Sequence, residues 1–239
     1  MVAGDWHTVR HMLTRTALNK AIQELAPPGV AYSLCNTDGA VDPLWPAELS
    51  VAASMGEKRR REFTAGRHCA RQALVRLGQE PVALPIGPGR APVWPPGIIG
   101  SISHTDEIAI AAVARQTDLR SLGIDVESAD PLEPGLLELV CRDDERAALT
   151  ASGMQLQTGA KLIFSAKESV YKCLWPVSGV FLEFHAIGIR IDPVSHRFTA
   201  YSQDRSIEAT LRLICGAYRK VGGVLLSCAW LDGADAALT

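Results

Sequence analysis

Two short segments, 123-GIDVE-127 and 164-FSAKESVYK-172, carry charges among apolar neighbours. Asp125 and Glu127 stand two apart, so on a strand both carboxylates leave one face while Ile124 and Val126 leave the other. An unpaired carboxylate pair on a central strand is costly. A hard divalent cation such as Mg²⁺ removes that cost, since it takes oxygen ligands and often only one or two carboxylates, completed by water and substrate phosphate. In the second segment Glu168 and Lys172 are four apart, hence neighbours on a helix, with the glutamate N-terminal to the lysine. Alone, such a pair is an ordinary exposed salt bridge worth about 0.3–0.5 kcal/mol. Beside Asp125 and Glu127, Glu168 is the natural third carboxylate.

The stretch 57-EKRRREFTAGRHCAR-71 gathers cations locally in a chain with 24 basic and 26 acidic residues and a formal net charge of −2. That balance supplies no global field for nucleic acid or a membrane surface, so any anion site is local. A basic helix face by itself is commonly just solvated. Here Arg60, Arg67 and Arg71 fall near one helical stripe, and arginine forks suit phosphate. His104 adds a further donor within 100-GSISHT-105, flanked by Ser101, Ser103 and Thr105. Together these groups describe a polyphosphate site with Mg²⁺.

The elements that must position them can be read from spacing. A helix is expected over 5–26, stopped by Pro27-Pro28-Gly29, followed by a strand over 30–36. A long helical pattern runs from about 46 to 77, with breaks suggested near Gly56 and Gly66 and Gly78 as its terminator. The Pro/Gly-rich stretch 81–97 is irregular, and 98–105, 107–115 and 120–128 read as three consecutive strands of a meander. Helices at about 134–151 and 158–175 follow, then strands at 186–192, 197–202, 207–219 and 222–231. The order strand, helix, meander occurs twice, which predicts an α+β fold of two similar halves, 1–121 and 122–239, each an antiparallel meander packed with a long helix. An apolar fraction of 47% supports a sizeable core. Six scattered cysteines without CxxC or zinc spacing read as reduced core thiols, and neither a signal core nor a membrane span is visible, so the cytoplasm is expected.

The set 66-GRHCARQAL-74, 92-PVWPPGIIGSISHT-105, 123-GIDVE-127 and 164-FSAKESVYK-172, in this order and at these separations, strongly resembles the 4′-phosphopantetheinyl transferases of the surfactin- and enterobactin-synthetase type. The resemblance spans roughly 45–185. It implies a monomeric pseudo-dimer with coenzyme A between the halves, and transfer of its 4′-phosphopantetheine arm to a serine of an apo acyl or peptidyl carrier protein, releasing 3′,5′-ADP. Such enzymes serve secondary metabolism, including siderophore and antibiotic biosynthesis.

By resemblance Asp125, Glu127 and Glu168 ligate Mg²⁺, with Mn²⁺ as an alternative, and Glu168 is also the general base. Lys172 steadies charge on the transferred phosphoryl group, and Lys167 contacts phosphate. Arg59 and Arg67 hold the 3′-phosphate and pyrophosphate, with Ser103 and His104 closing the site. Straight-helix geometry, however, favours Arg60 over Arg59 as the partner of Arg67. The adenine is expected over 86-IGPG-89, with Gly87 and Gly89, where Arg90 is the cation this chain offers. Phe181 and Leu182 match the pocket for the pantetheine arm. Two other readings fit similar residues: a Mg²⁺-dependent nucleotide or pyrophosphate hydrolase, and a non-catalytic coenzyme A-binding module.

Overall fold

The computed structural model describes residues 6–233, with side chains from Arg15 onward. Helix α1 (Trp6–Leu25) leads into strand β1 (Ala31–Asn36), then α2 (Pro46–Ala52), α3 (Glu57–Arg76), β2 (Ile98–His104), β3 (Ile108–Arg115) and β4 (Leu119–Ser128). The chain continues through α4 (Leu137–Val140), α5 (Asp143–Ala151), α6 (Leu156–Ser178), β5 (Gly188–Asp192), β6 (Arg197–Tyr201), α7 (Arg205–Leu211), β7 (Cys215–Val221) and β8 (Val224–Asp232). The result is a mixed α+β protein. Of the first expected helix, Asp5 lies outside the described residues. No helix among the described residues is long and apolar enough to cross a membrane.

The strands form a three-stranded sheet in the order β1-β3-β2 and a five-stranded sheet in the order β4-β8-β7-β6-β5, with every pairing antiparallel. In each half the strand before the long helix pairs with the last strand, so β1-β3-β2 corresponds to β4-β8-β7, and β5 and β6 extend the second sheet. The division expected at 121/122 falls inside β4. Helix α1 crosses it: Leu18, Ile22 and Leu25, on one face at i, i+4 and i+7, pack in one core with Leu34 and Ile110 of the first half and Trp230 of the second.

The expected meander over 98–128 is corrected. β2 and β3 do form a hairpin, but β4 leaves to pair with β8. The edge of β2 that faces β4 is joined to it by side chains: Ser101 Oγ accepts from Ile124 N at 3.0 Å and Ser103 Oγ from Val126 N at 3.3 Å. The serines thus satisfy amides that would otherwise be buried without partners at the seam between sheets.

Three further boundaries differ. The helical pattern over 46–77 breaks once, at Gly56, whereas Gly66 stays helical and packs so closely on β2 that a Cβ there would lie 2.9 Å from Ile102 Cγ2. The helix expected over 134–151 is interrupted between α4 and α5. The strand expected to start at 207 is instead α7, where Asp204 caps Ser206 N and Ile207 and Leu211 bury one face, so β7 begins at Cys215.

Helix α6 starts on Gln155, whose side chain accepts from Thr158 N, and ends at Gly179 with φ 64°. It crosses β4 so closely that a Cβ on Gly123 would lie 2.0 Å from Ser169 O and 2.6 Å from Cys173 N. Both atoms are helix backbone, so the crossing requires glycine. Gly123→Ala should therefore cost about 3 kcal/mol, at the upper end of overpacking, and lower the melting temperature by about 6–12 °C in a chain of this size. A drop below about 2 °C in thermal unfolding would show that α6 yields instead.

Candidate active site

A cavity of about 790 Å³ opens between the two halves. Glu62, Phe63 and Gly66 of α3 form one wall, with Arg59 and Arg67 flanking them, at the i, i+3, i+4, i+7, i+8 spacing of one helix face. Across from them stand Asp125 and Glu127 of β4 and Phe164, Glu168 and Lys172 of α6, while Ser103 and His104 of β2 close the end. The strand-face argument holds: Ile124 and Val126 enter the core against α1, and Asp125 and Glu127 face the cavity.

Asp125 is the node. Its Oδ1 accepts from Ser103 Oγ at 2.8 Å and Lys172 Nζ at 2.7 Å, and its Oδ2 accepts from Ser165 Oγ at 2.9 Å. Glu127 Oε2 pairs with Lys161 Nζ at 2.6 Å, and Lys172 Nζ lies 4.0 Å from Glu168 Oε2. Among the described residues no three His, Cys, Asp or Glu side chains converge as a ready metal-binding group. Asp125, Glu127 and Glu168 nonetheless all border the cavity and are oxygen donors of the type a hard cation takes, with water and substrate phosphate to complete its shell.

On the opposite wall Arg67 is buried, its guanidinium 4.2 Å over the Phe63 ring with Nε donating to Leu84 O at 2.7 Å. Burial lowers its pKa to about 10, still fully charged at neutral pH. His104 Nε2 contacts an Arg59 Nη, and its Nδ1 lies 3.6 Å from Glu62 Oε2. Burial first, then Arg59, lowers the His104 pKa. A neutral ring with Nε2 accepting from Arg59 fits both neighbours.

A second, more apolar groove of about 660 Å³ runs along α6, lined by Tyr171, Phe181, Leu182, Phe184 and Leu139, and Glu168 lines it as well as the cavity. Phe181, at 73% exposed, lies edge-on to Tyr171 with ring centroids 6.0 Å apart.

Residues 47–114 match the family described as 4′-phosphopantetheinyl transferase N-terminal domain, and 121–218 the 4′-phosphopantetheinyl transferase superfamily. The chain is 41% identical over 187 residues to the 4′-phosphopantetheinyl transferase Svp of Streptomyces mobaraensis, covering 75% of each. The chain belongs to the 4′-phosphopantetheinyl transferase family. It is also 42% identical over 147 residues to the 4′-phosphopantetheinyl transferase Npt of Nocardia iowensis, covering 62% of this chain and 66% of that one. To enterobactin synthase component D of Salmonella typhi it is 40% identical over 138 residues, 55% of each. Coenzyme A is the substrate of this transferase family.

In this phosphopantetheinyl transferase the cavity brings together Arg59, Arg67, Ser103, His104, Asp125, Glu127, Glu168 and Lys172. Three expectations are corrected. Lys167 does not reach the cavity: it is buried, with Nζ donating to Glu145, Val140 O and Phe184 O. Arg71 is also turned away, clamped on Glu48 at 3.0 and 3.1 Å, and Arg59 rather than Arg60 lines the cavity with Arg67. Gly87 and Gly89 shape their loop without lining the cavity; Ile86, Arg90 and Pro92 line it instead. Gly89, at φ 62°, abuts Trp175 of α6, where a Cβ would lie 2.3 Å from the indole. Leu182 lies in the groove.

Two contributors went unassigned in the sequence reading, Ser165 and Lys161. Both sit on the stripe 161, 165, 168, 172 of α6, a spacing that exposes them to simple helical-wheel inspection.

Burial raises the pKa of Glu168, Lys172 opposes the rise, and Asp125 and Glu127 add to it; burial and then Asp125 raise Glu127. A carboxyl whose pKa is raised on folding favours the fold when protonated, and that contribution is lost as pH rises through the folded value. Glu168→Gln should therefore raise the melting temperature at pH 8, with the advantage shrinking as pH falls through the raised folded pKa and vanishing once pH is below the usual carboxylate range. Thermal unfolding across pH checks it, and a lower melting temperature at pH 8 would contradict it.

Proposed function

We propose that this chain transfers the 4′-phosphopantetheine arm of coenzyme A to a serine of an apo acyl or peptidyl carrier protein, with Mg²⁺, releasing 3′,5′-ADP. The observation that carries the reading is the position of Glu168, the carboxylate shared by a cavity walled with arginines and a groove lined with aromatic and aliphatic side chains. A donor with an anionic nucleotide end and a long, weakly polar arm matches that pair of spaces. The acceptor hydroxyl then meets the pyrophosphate where they join.

Arg59, Arg67, His104 and Ser103 bind and orient the phosphates, as charge-assisted donors do for a polyphosphate. Asp125, Glu127 and Glu168 would hold Mg²⁺, which when bound offsets pyrophosphate charge. Lys172, which borders the cavity and donates to Asp125 at 2.7 Å, is placed to donate to the phosphoryl oxygens as well. Glu168, its pKa raised by burial, is suited to accept the serine proton. The serine Oγ attacks the β-phosphorus, the bond to the 3′,5′-ADP oxygen breaks, and catalysis rests on positioning and electrostatics. Both walls come from one chain, so we propose a monomer without nucleic-acid or membrane partners. The six free cysteines fit the cytoplasm.

Incubation with Mg²⁺, coenzyme A and a panel of apo carrier proteins should add about 340 Da to the acceptor by intact mass, as phosphoryl-type transfer requires. Glu168→Gln should slow it about 10²–10⁴-fold. Release of 3′,5′-ADP without an acceptor would instead favour a hydrolase.

Arg67 tests the nucleotide end. If it reads the 3′-phosphate, wild type should bind dephospho-coenzyme A about 10- to 100-fold more weakly than coenzyme A. Arg67→Ala should then weaken coenzyme A strongly and the dephospho analogue much less, a cycle with the ligand as one mutation. Equal weakening of both would remove Arg67 from the 3′-phosphate.

A further inference from the structure

The lysine preceding Glu168 in sequence is among the most deeply buried large side chains of the described chain. Lys167 Nζ donates to Val140 O, Glu145 Oε2 and Phe184 O, each at 2.8 Å, so all three ammonium protons are engaged inside the protein. Glu145 in turn accepts from Ile189 N at 2.6 Å and Arg142 N at 2.8 Å. A single ion pair thus gathers the end of α4, the first turn of α5, the segment 181–187 and the start of β5 onto α6.

Of these pieces, α4, the segment 181–187 and α6 build the apolar groove. Leu139 belongs to α4, Leu182 and Phe184 to the segment, and Glu168 and Tyr171 to α6. A second strap lies nearer the surface, where His185 Nε2 meets Glu138 O at 2.8 Å and Arg142 donates to His185 O at 3.1 Å. Apolar residues in place of a buried ion pair often hold a fold together as well or better. A charged node with five fixed hydrogen bonds does something a greasy contact does not: it fixes where separate backbone segments stand relative to one another.

We propose that the Lys167–Glu145 pair is a positioning device for the pantetheine arm, fixing both walls of the groove against the helix that carries Glu168 and making no contact with the coenzyme A phosphates. The proposal rests on the reading of the groove as the arm's site. It separates two ligands that share the nucleotide end: 3′,5′-ADP has no arm and should be indifferent to the pair, whereas coenzyme A should depend on it.

Calorimetry with these two probes tests it on the variant E145Q/K167M, with thermal unfolding to confirm the fold. The double variant removes both charges together, since a lone buried charge would itself unfold the site. The affinity for 3′,5′-ADP should stay within about twofold of wild type while coenzyme A weakens about tenfold. In initial rates KM for coenzyme A should rise by more than kcat falls. Equal weakening of both probes would put Lys167 on the phosphates and overturn the proposal, as would unchanged affinity for both. Hydrogen exchange on the unaltered chain asks the same question without a variant: coenzyme A should slow the amides of 137–145 and 181–189, and 3′,5′-ADP should not. Equal protection by the two overturns it. A wild type that binds coenzyme A no more tightly than 3′,5′-ADP overturns the arm reading of the groove and the proposal with it, and wild-type data alone show that case.

Discussion

Asp125 is nearly inaccessible to solvent, and its carboxylate is held by groups from both halves of the molecule: Ser103 from β2, and Ser165 and Lys172 from α6. Removing one partner from a buried ion pair costs about 3–5 kcal/mol, because the remaining charge is left uncompensated. The seam between the sheets, the angle at which α6 crosses β4 and the floor of the cavity all depend on this one group. Gly123, two residues earlier, lets the helix backbone come close enough for Ser165 and Lys172 to reach it. The same serines that hold the carboxylate or cap the seam amides take the place of a backbone ladder between β2 and β4.

Around that anchor the charges are deliberately unbalanced. Glu127 and Glu168 are held in surroundings that raise their pKa, each made worse by Asp125, while across the cavity Arg59 meets Glu62 at 3.5 Å and Arg67 makes no ion pair among the described residues. Glu127 is paired with Lys161 at 2.6 Å, but Glu168 has only Lys172 at 4.0 Å, unlike the direct pairs of Arg71 with Glu48 and of Lys167 with Glu145. Cations on one wall and excess anions on the other suit a ligand that carries its own phosphates and recruits a metal. The separation of structural from functional ion pairs is therefore visible in burial: the structural pairs are sealed, and the functional groups border open space.

Most of the order of elements, though not helix α7, together with the carboxylate face of β4 and the charged stripe of α6, could be read along the chain because they depend on local periodicity: alternation on a strand, and about 100° per residue on a helix. The motifs with which they coincide were specific enough to point to a phosphopantetheinyl transferase. The same periodicity already placed Lys167 about 100° away from Glu168, off the stripe of Lys161, Ser165, Glu168 and Lys172. Adjacency in a motif concealed that. What no local pattern contained was the destination of each side chain. The departure of β4 to the second sheet, the break between α4 and α5, the burial of Arg71 against Glu48 and of Lys167 against Glu145, and the closure of Gly89 on Trp175 all join residues far apart in sequence. Sequence by itself determined which residue types face which side of their own element. Tertiary structure decided which faces meet, because the cost of burying a charge or an amide is settled only by the partner that another segment brings to it.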